Sequence, residues 1–321
     1  MLYDLIIIGG GPAGVAAGVY AGRKRLKTLL VTDAFGGQSL VSNEIQNWIG
    51  TKTISGFELA QKMEEHLRAQ ETVEIKIPER IKAVELREKN FLIQTEKGEA
   101  YETKALIVTA GAKRKRLGVP GEDKFEGRGV VYCSTCDAPL FGDKTVAVVG
   151  GGNAALEAVV DLLPYAKKVY LLVRGEKLKG DQITQEKVER AEKVEVMFNT
   201  EIAEVKGSNF LDTAVIKNRK TEEMRELPVE GVFVEIGSEP NSEILKSLVE
   251  LNHFGEVVVD HRTGKTSRSG IFAAGDITDE LYKQNNISAG DGVAAALSAY
   301  NYLLEREHQS PASEKLNGNG S

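Results

Sequence analysis

The 321-residue chain has only two cysteines, Cys133 and Cys136, and they stand three positions apart. So sparse a supply excludes a disulfide-stapled secreted scaffold. A bond between them closes too small a loop to stabilise much of the fold. The four histidines, His66, His253, His261 and His308, are scattered without ligand spacing, and there is no second CxxC. A four-ligand zinc centre therefore has no ligand set, and no metal is expected. Long apolar runs are missing too. Leu5 to Ile8 breaks at Gly9, far short of the roughly 20 residues that a membrane span needs. No cationic segment, apolar stretch and small-residue cleavage site open the chain, so no signal peptide and a cytoplasmic location are expected. Cationic excess is also lacking: a net charge of −6 argues against nucleic acid as a partner.

What remains is an ordinary globular balance, 41% hydrophobic and 27% charged, in a chain long enough for two cores. Leu5-Ile6-Ile7-Ile8 reads as a strand buried on both faces. A small-residue helix, Ala13 to Gly22, and a second strand, Thr28 to Val31, follow it. The pattern restarts later, with a strand at Thr145 to Val149, a helix at Asn153 to Leu163 and a strand at Val169 to Val173. The chain thus carries two nucleotide-binding units. Between them, Glu74 to Ile77, Phe91 to Thr95 and Ala105 to Thr109 read as antiparallel and returning strands. Beyond the second unit, Ile271 to Ala274 reads as a buried strand and Gly292 to Leu304 as an amphipathic helix. The fold class is α/β, two Rossmann-like three-layer domains with the second inserted into the first. The expected bounds are 1–117 and 241–309 for the first domain, 118–240 for the second, and a disordered tail at 310–321. Gly118–Gly121 and Gly237–Asn241 are the expected linkers.

Three motifs carry chemistry. Gly9-Gly10-Gly11-Pro12-Ala13-Gly14 fits GxGxxG between a strand and a helix. Gly9 permits the tight turn, Gly11 lets backbone approach a pyrophosphate, and Gly14 allows close helix packing. The helix N-terminus adds unpaired N–H groups, and Asp33 follows at the end of the second strand to accept from a ribose. Gly150-Gly151-Gly152-Asn153-Ala154-Ala155 repeats the fingerprint as GxGxxA. At the end of its second strand no acid appears; Arg174, Lys177 and Lys179 either meet a 2′-phosphate or form a solvated turn, which leans the donor to NADPH, with NADH possible. The third motif is Cys133-Ser134-Thr135-Cys136-Asp137. CxxC spacing holds two sulfurs within bridging reach and lowers a thiol pKa, and Asp137 can move the accompanying proton.

With these motifs the chain resembles the low-molecular-weight thioredoxin reductases. It resembles still more the flavoprotein subunit of alkyl hydroperoxide reductase without its N-terminal thioredoxin-like module. The resemblance runs from Tyr3 to about Leu304 and includes Gly36-Gly37-Gln38, Gln46-Asn47-Trp48, Thr109-Ala110-Gly111, Gly127-Arg128-Gly129-Val130, Gly275-Asp276 and Tyr282-Lys283-Gln284. Lys179 to Lys187 looks like the peroxide-reductase branch, and the HRRxxxR of thioredoxin reductases is reduced to Val173-Arg174-Gly175 with Lys179.

The resemblance implies FAD in the first domain. Gly9, Gly11, Pro12, Ala13 and Gly14 would hold its pyrophosphate and Asp33 its ribose. Gly37, Gln38, Asn47, Thr109, Ala110, Gly111, Gly275, Asp276, Gln284 and Asn285 would surround the rest. It implies NADPH or NADH on Gly150, Gly152, Asn153, Ala154, Arg174 and Lys179. Cys136 would face the flavin, Cys133 would attack the partner disulfide, and Asp137 would be the acid–base group. A homodimer is implied, with thioredoxin or a glutaredoxin-like protein as the electron acceptor and rotation of the inserted domain on its linkers. Without the extra module, electrons are expected to leave directly to a separate protein. The basic run Lys113-Arg114-Lys115-Arg116 reads as a solvated turn or, with Arg128, as a dock for an acidic partner. Three rival readings stand: a dithiol oxidase of the same fold, a ferredoxin-fed reductase, and a non-catalytic flavin redox sensor.

Overall fold

The computed structural model describes residues 2–42 and 44–308; the tail expected at 310–321 lies outside the described residues. The chain divides into two compact units, Met1–Lys113 with Glu239–Ser321, and Arg114–Ser238. The second is inserted into the first.

Alternation along apolar strands dictates the first unit. In β1 (Leu2–Gly10), Leu5 and Ile7 enter one core while Tyr3, Ile6 and Ile8 enter another. A strand that is apolar on both faces has to be covered on both. Helix α1 (Pro12–Arg23) leads to β2 (Thr28–Phe35), and α2 (Gly56–Arg68) leads to β3 (Val73–Lys76), each strand parallel to the last. β4 (Ile81–Arg87) and β5 (Asn90–Thr95) form an antiparallel pair, and β6 (Ala100–Val108) runs antiparallel to β5 but parallel to β1. The segment at Glu74 to Ile77, expected among the antiparallel and returning strands, is therefore corrected to a parallel one. The helix before it brings the chain back in the same direction.

After the insertion, β17 (Ile271–Ala273) pairs parallel with β6, and α7 (Asn285–His308) closes the unit. The sheet order is β3-β2-β1-β6-β5-β4 with β17 also on β6. One face is covered by α1, α2 and α7 through Val15, Val19, Leu59, Met63, Leu67, Ala296 and Leu303. The other is covered by Val84, Phe91 and Ile93 together with Leu245, Val249 and Val257. Helix α7 begins before the expected Gly292. Its first turns contain two glycines of poor helix propensity and are held by packing, because a Cβ on Gly292 would overlap the Ala13 carbonyl of α1.

The second unit repeats the scheme. β8 (Val130–Val131), β9 (Thr145–Val149), β10 (Lys168–Val173), β11 (Val194–Phe198) and β15 (Gly231–Val234) make an all-parallel sheet ordered β11-β10-β9-β15-β8. α5 (Asn153–Leu162) and α6 (Gln182–Glu189) connect β9, β10 and β11, while α3 (Glu122–Phe125) and α4 (Ser134–Asp137) are single turns. Val146, Val148 and Leu171 pack against Leu156, Val159 and Leu162 of α5. Ala147, Val149 and Leu172 face the opposite side. That side is covered by an antiparallel layer, β12 (Thr200–Gly207), β13 (Leu211–Asn218) and β14 (Met224–Pro228), through Ile202, Ala214 and Ile216.

The crossings fall at Lys113/Arg114 and Ser238/Glu239. There β7 (Ala112–Arg114) and β16 (Ser238–Pro240) pair with each other. The Gly118–Gly121 turn, expected as the first linker, instead belongs to the second unit. The Leu117 and Gly118 amides both donate to the Glu122 carboxylate at 2.8 Å, and the Val205 amide donates to Pro120 O at 3.0 Å. Among the described residues no helix is long and apolar enough to cross a membrane.

Phe233 is fully buried and meets Phe141 edge-on, ring centroids 4.9 Å apart. Phe233→Ala is expected to destabilise the second unit by about 3–5 kcal/mol, measured as a lowered urea midpoint for the probes of that unit.

Candidate active site

The first fingerprint is shaped by steric necessity at two of its three glycines. Gly9 has φ +114°, and a Cβ there would overlap the Thr109 carbonyl. A Cβ on Gly14 would overlap Gly9 O. Gly11 is different: it has an extended backbone, φ −76° and ψ −175°, and the nearest atom to a Cβ is Gly37 Cα at 4.0 Å. Among the described residues nothing crowds a side chain at Gly11. The open space beside it, with Gly37 opposite, is the cradle that a phosphate-bearing ligand would fill. No side chain caps α1, and Pro12 sits in its first turn, so N–H groups of that turn are left for an anion. Thr109 turns inward, donating to Ile8 O at 2.8 Å, and clasps the loop. Ala13 is buried where α1 meets Gly275 and Gly292 of the C-terminal segment. Asp33 stands exposed near the end of β2, with Arg80 on its Oδ2 at 2.6 Å; sequence reading missed Arg80.

The fold brings residues from the two ends of the first unit together. Gln38 Nε2 donates to Ala112 O at 2.6 Å and to Asp276 Oδ2 at 3.4 Å. Asn47 Nδ2 donates to Gln284 Oε1 at 3.3 Å, and Ser39 Oγ donates to Asn285 Oδ1 at 3.1 Å. The carbonyls of Ala110 and Gly111 accept from Asn241 at 2.7 and 3.0 Å. Ser39, Asn241 and Asn286 were missed; Asn286 Nδ2 donates to Asn47 O at 2.7 Å. Their polar side chains carry no periodic signal. Together with the glycine cradle, this set fits a dinucleotide.

In the second fingerprint, a Cβ on Gly150 would overlap Glu235 O and lie 2.7 Å from the Ala155 methyl, whereas among the described residues no atom lies within 4 Å of a Cβ on Gly152. Gly152 also leaves α5 without a side-chain cap. Asn153 Oδ1 accepts from the Asp181 amide at 2.6 Å, and the Lys179 amide donates to Gly151 O at 2.7 Å. These bonds tie the 175–181 segment to the loop. Ala154 is exposed. Arg174 pairs with Glu201 at 3.3 Å, and so does Arg219 at 3.2 Å. Neither Glu201 nor Arg219 was foreseen, because the β12–β14 layer that supplies them lies far along the chain.

Cys133 and Cys136 are joined as a disulfide, Cα–Cα 5.3 Å, across the turn of α4. Burial pushes the Asp137 carboxyl up to about 6. Ser134 Oγ donates to Asp161 Oδ2 at 2.9 Å, and the Ser134 amide donates to Glu235 Oε1 at 3.3 Å. Sequence reading passed over Asp161 and Glu235. Glu235 had a visible signal, a charge ending the apolar run Val232-Phe233-Val234. The basic run is divided by the unit boundary. Arg116 is spent within its own unit on Asp123 at 2.8 Å and Glu126 at 2.7 Å.

Two glycine-rich strand-to-helix turns, each following a strand with parallel neighbours, and a disulfide in the second unit define a two-unit α/β protein. The model of the pyridine nucleotide-disulphide oxidoreductases matches residues 3–292, and the chain belongs to that family of oxidoreductases. It is 40% identical over 303 residues to an NADH dehydrogenase of Ferdinandcohnia aciditolerans. Over 305 residues it is 41% identical to a subunit of the alkyl hydroperoxide reductase of Pseudomonas aeruginosa. Both matches cover 94% of this chain but 58% of the relative, so the chain spans less than two thirds of the length of these curated relatives. Thioredoxin reductase from Streptococcus pyogenes superposes with a TM-score of 0.89 at 35% identity, covering 95% of this chain and 99% of that one. The Giardia duodenalis thioredoxin reductase gives 0.88 at 31% identity, covering 94% and 99%. The family implies flavin and nicotinamide cofactors.

The open cradles separate binding from folding. Gly11→Ala and Gly152→Ala are expected to leave the urea midpoint of the ligand-free chain unchanged while lowering flavin content and nicotinamide affinity, respectively, at least tenfold. Gly14→Ala is expected to lower the midpoint itself. A destabilised Gly11→Ala chain would contradict the reading of Gly11 as a ligand-facing position.

Proposed function

We propose that the chain is a thioredoxin-disulfide reductase: an FAD enzyme fed by NAD(P)H that reduces a thioredoxin- or glutaredoxin-like protein through Cys133 and Cys136, as a cytoplasmic homodimer. What carries the reading is the bonded Cys133–Cys136 pair, with the raised carboxyl of Asp137 next to it, in the unit that also holds the second fingerprint. Gly9, Gly11, Gly14 and the α1 N-terminus would hold the FAD pyrophosphate, Asp33 its ribose, and Gln38, Asn47, Asp276 and Gln284 the remainder. Gly150, Gly152 and α5 would hold the nicotinamide nucleotide. The flavin, when bound, supplies two-electron chemistry between nicotinamide and dithiol.

The chain's own residues then do the exchange. A thiolate at Cys133 attacks one sulfur of the partner disulfide, forming a mixed disulfide and releasing one partner sulfur, which takes a proton. Cys136 attacks Cys133, restores the Cys133–Cys136 bond and frees the second partner sulfur, also protonated. Two electrons and two protons thus pass to the partner. Asp137, raised to about 6, accepts the proton of the attacking thiol and returns it to a leaving sulfur.

A second reading concerns the donor. Arg174, the residue that leans the sequence to NADPH, is engaged by Glu201 together with Arg219. A carboxylate at this place favours NADH by repelling a 2′-phosphate. Equilibrium binding of NADH and NADPH separates the two, and Glu201→Gln is expected to tighten NADPH roughly tenfold.

The decisive test is anaerobic flavin bleaching by each nucleotide, followed by reoxidation with candidate disulfide proteins. Cys133→Ser and Cys136→Ser are expected to bleach normally yet to reduce no protein disulfide. Absence of bleaching with either nucleotide would turn the assignment to the dithiol oxidase, the ferredoxin-fed reductase or the sensor. Because dithiol and nicotinamide site share one unit, we place a swivel at the paired crossings. A crosslink locking β7 and β16 to either unit is expected to block turnover while sparing one half-reaction.

A further inference from the structure

Opening the Cys133–Cys136 bond adds two electrons to the sulfurs and draws in as many as two protons, and Asp137 is one carboxyl. Glu235 is a second acid beside the pair that the exchange steps leave unused. It follows directly on β15, half-buried, and its Oε1 accepts from the backbone amide of Ser134, the residue that follows Cys133. Ser134 is held on its other side by Asp161 of α5. The charged groups facing Glu235 are Arg114, Asp161 and Asp137. One cation is thus set against three carboxyls around a dithiol that becomes negative when a thiol ionises.

We propose that Glu235 is a positioning residue that couples the charge of the reduced dithiol to pH: ionised, it opposes thiolate formation at the Cys133–Cys136 pair, and protonated, it permits it. The electrostatic reason is repulsion at short range in a partly desolvated site, where a carboxylate and a thiolate cannot both ionise freely. Burial, the first cause, pushes the Glu235 carboxyl up to about 7, with Arg114 and the Ser134 amide opposing the rise. The sign follows from that value. Below it Glu235 carries a proton and has no charge to oppose a thiolate. Above it the carboxylate is present, and a newly formed thiolate draws a proton back onto Glu235. Reduction of the pair and proton uptake at Glu235 are therefore linked around neutral pH.

The idea rests on the redox role given to Cys133 and Cys136. Its test does not need the nicotinamide or a protein partner. The whole flavin-loaded chain is reduced with dithiothreitol, which supplies both electrons and both protons and is itself oxidised to its cyclic disulfide. After removal of excess reductant, iodoacetamide modification of Cys133 and Cys136 is followed against pH, with each cysteine read by mass spectrometry. Glu235→Gln is expected to raise the modification rate roughly three- to tenfold near pH 8 and to change it less than twofold near pH 5.5. Glu235→Leu, which removes the acceptor as well as the charge, is expected to give the same pH-dependent gain. In the wild-type chain the rate profile is expected to spread over more pH than a single titration.

Equal rates for wild type and Glu235→Gln near pH 8 overturn the proposal. So does a gain of the same size at both pH values, which marks a merely structural effect. A gain with Leu but not with Gln assigns the effect to the lost hydrogen bond and likewise overturns it. A one-group wild-type profile does so without any variant. Failure of NADH and NADPH to reduce the chain would overturn the reductase reading and leave these rates standing.

Discussion

The outer edge of β6 is the constraint on which the architecture turns. Its first half is taken by antiparallel β5, with Phe91 opposite Thr103. Its second half has no partner until β17 arrives after the insertion, with Ile271 opposite Leu106 and Ala273 opposite Val108. Leu106, Ile107 and Val108 are fully buried, so an unpaired edge there would strand backbone groups away from water. The chain returns to that edge after building the second unit. The excursion makes two crossings, and β7 and β16 pair with each other there. The strand that follows the insertion thus completes an edge left open by the strands before it.

Charge is distributed around the dithiol with a corresponding economy. Two cations flanking the pair in sequence are committed elsewhere: Arg116 to Asp123 and Glu126, and Arg174 to Glu201. Arg114 is the cation set against Glu235. Around Cys133 and Cys136 the fold places Asp137, Asp161 and Glu235, and desolvation raises the first and last of these carboxyls to about 6 and 7. A disulfide carries no charge, so the oxidised pair tolerates such company. Reduction is the event that the surroundings resist, and proton transfer relieves the resistance.

The readable parts of the sequence were those in which one local rule determines the outcome. Buried parallel strands require runs such as Leu5-Ile6-Ile7-Ile8 and Thr145-Val146-Ala147-Val148-Val149. Close backbone approach requires Gly9 and Gly14, and the CxxC spacing permits its own bond. The direction of β3, the early start of α7 and the β12–β14 layer were hidden, because each depends on contacts with distant elements. Polar partners were hidden for the same reason. Gln38 meets Asp276, and Asn47 meets Gln284, only because the C-terminal segment folds back onto the first unit.

By itself, then, the sequence determined two glycine-shaped strand-to-helix turns, a cysteine pair within bonding reach and an inserted α/β organisation, since glycine sterics, strand alternation and cysteine spacing are short-range. The tertiary structure alone decided where the crossings lie, that Glu201 and Arg219 gather at Arg174, and that Asp161 and Glu235 bond to Ser134, the residue after Cys133. Those outcomes depend on sheet order and burial, which bring together groups that no local spacing relates.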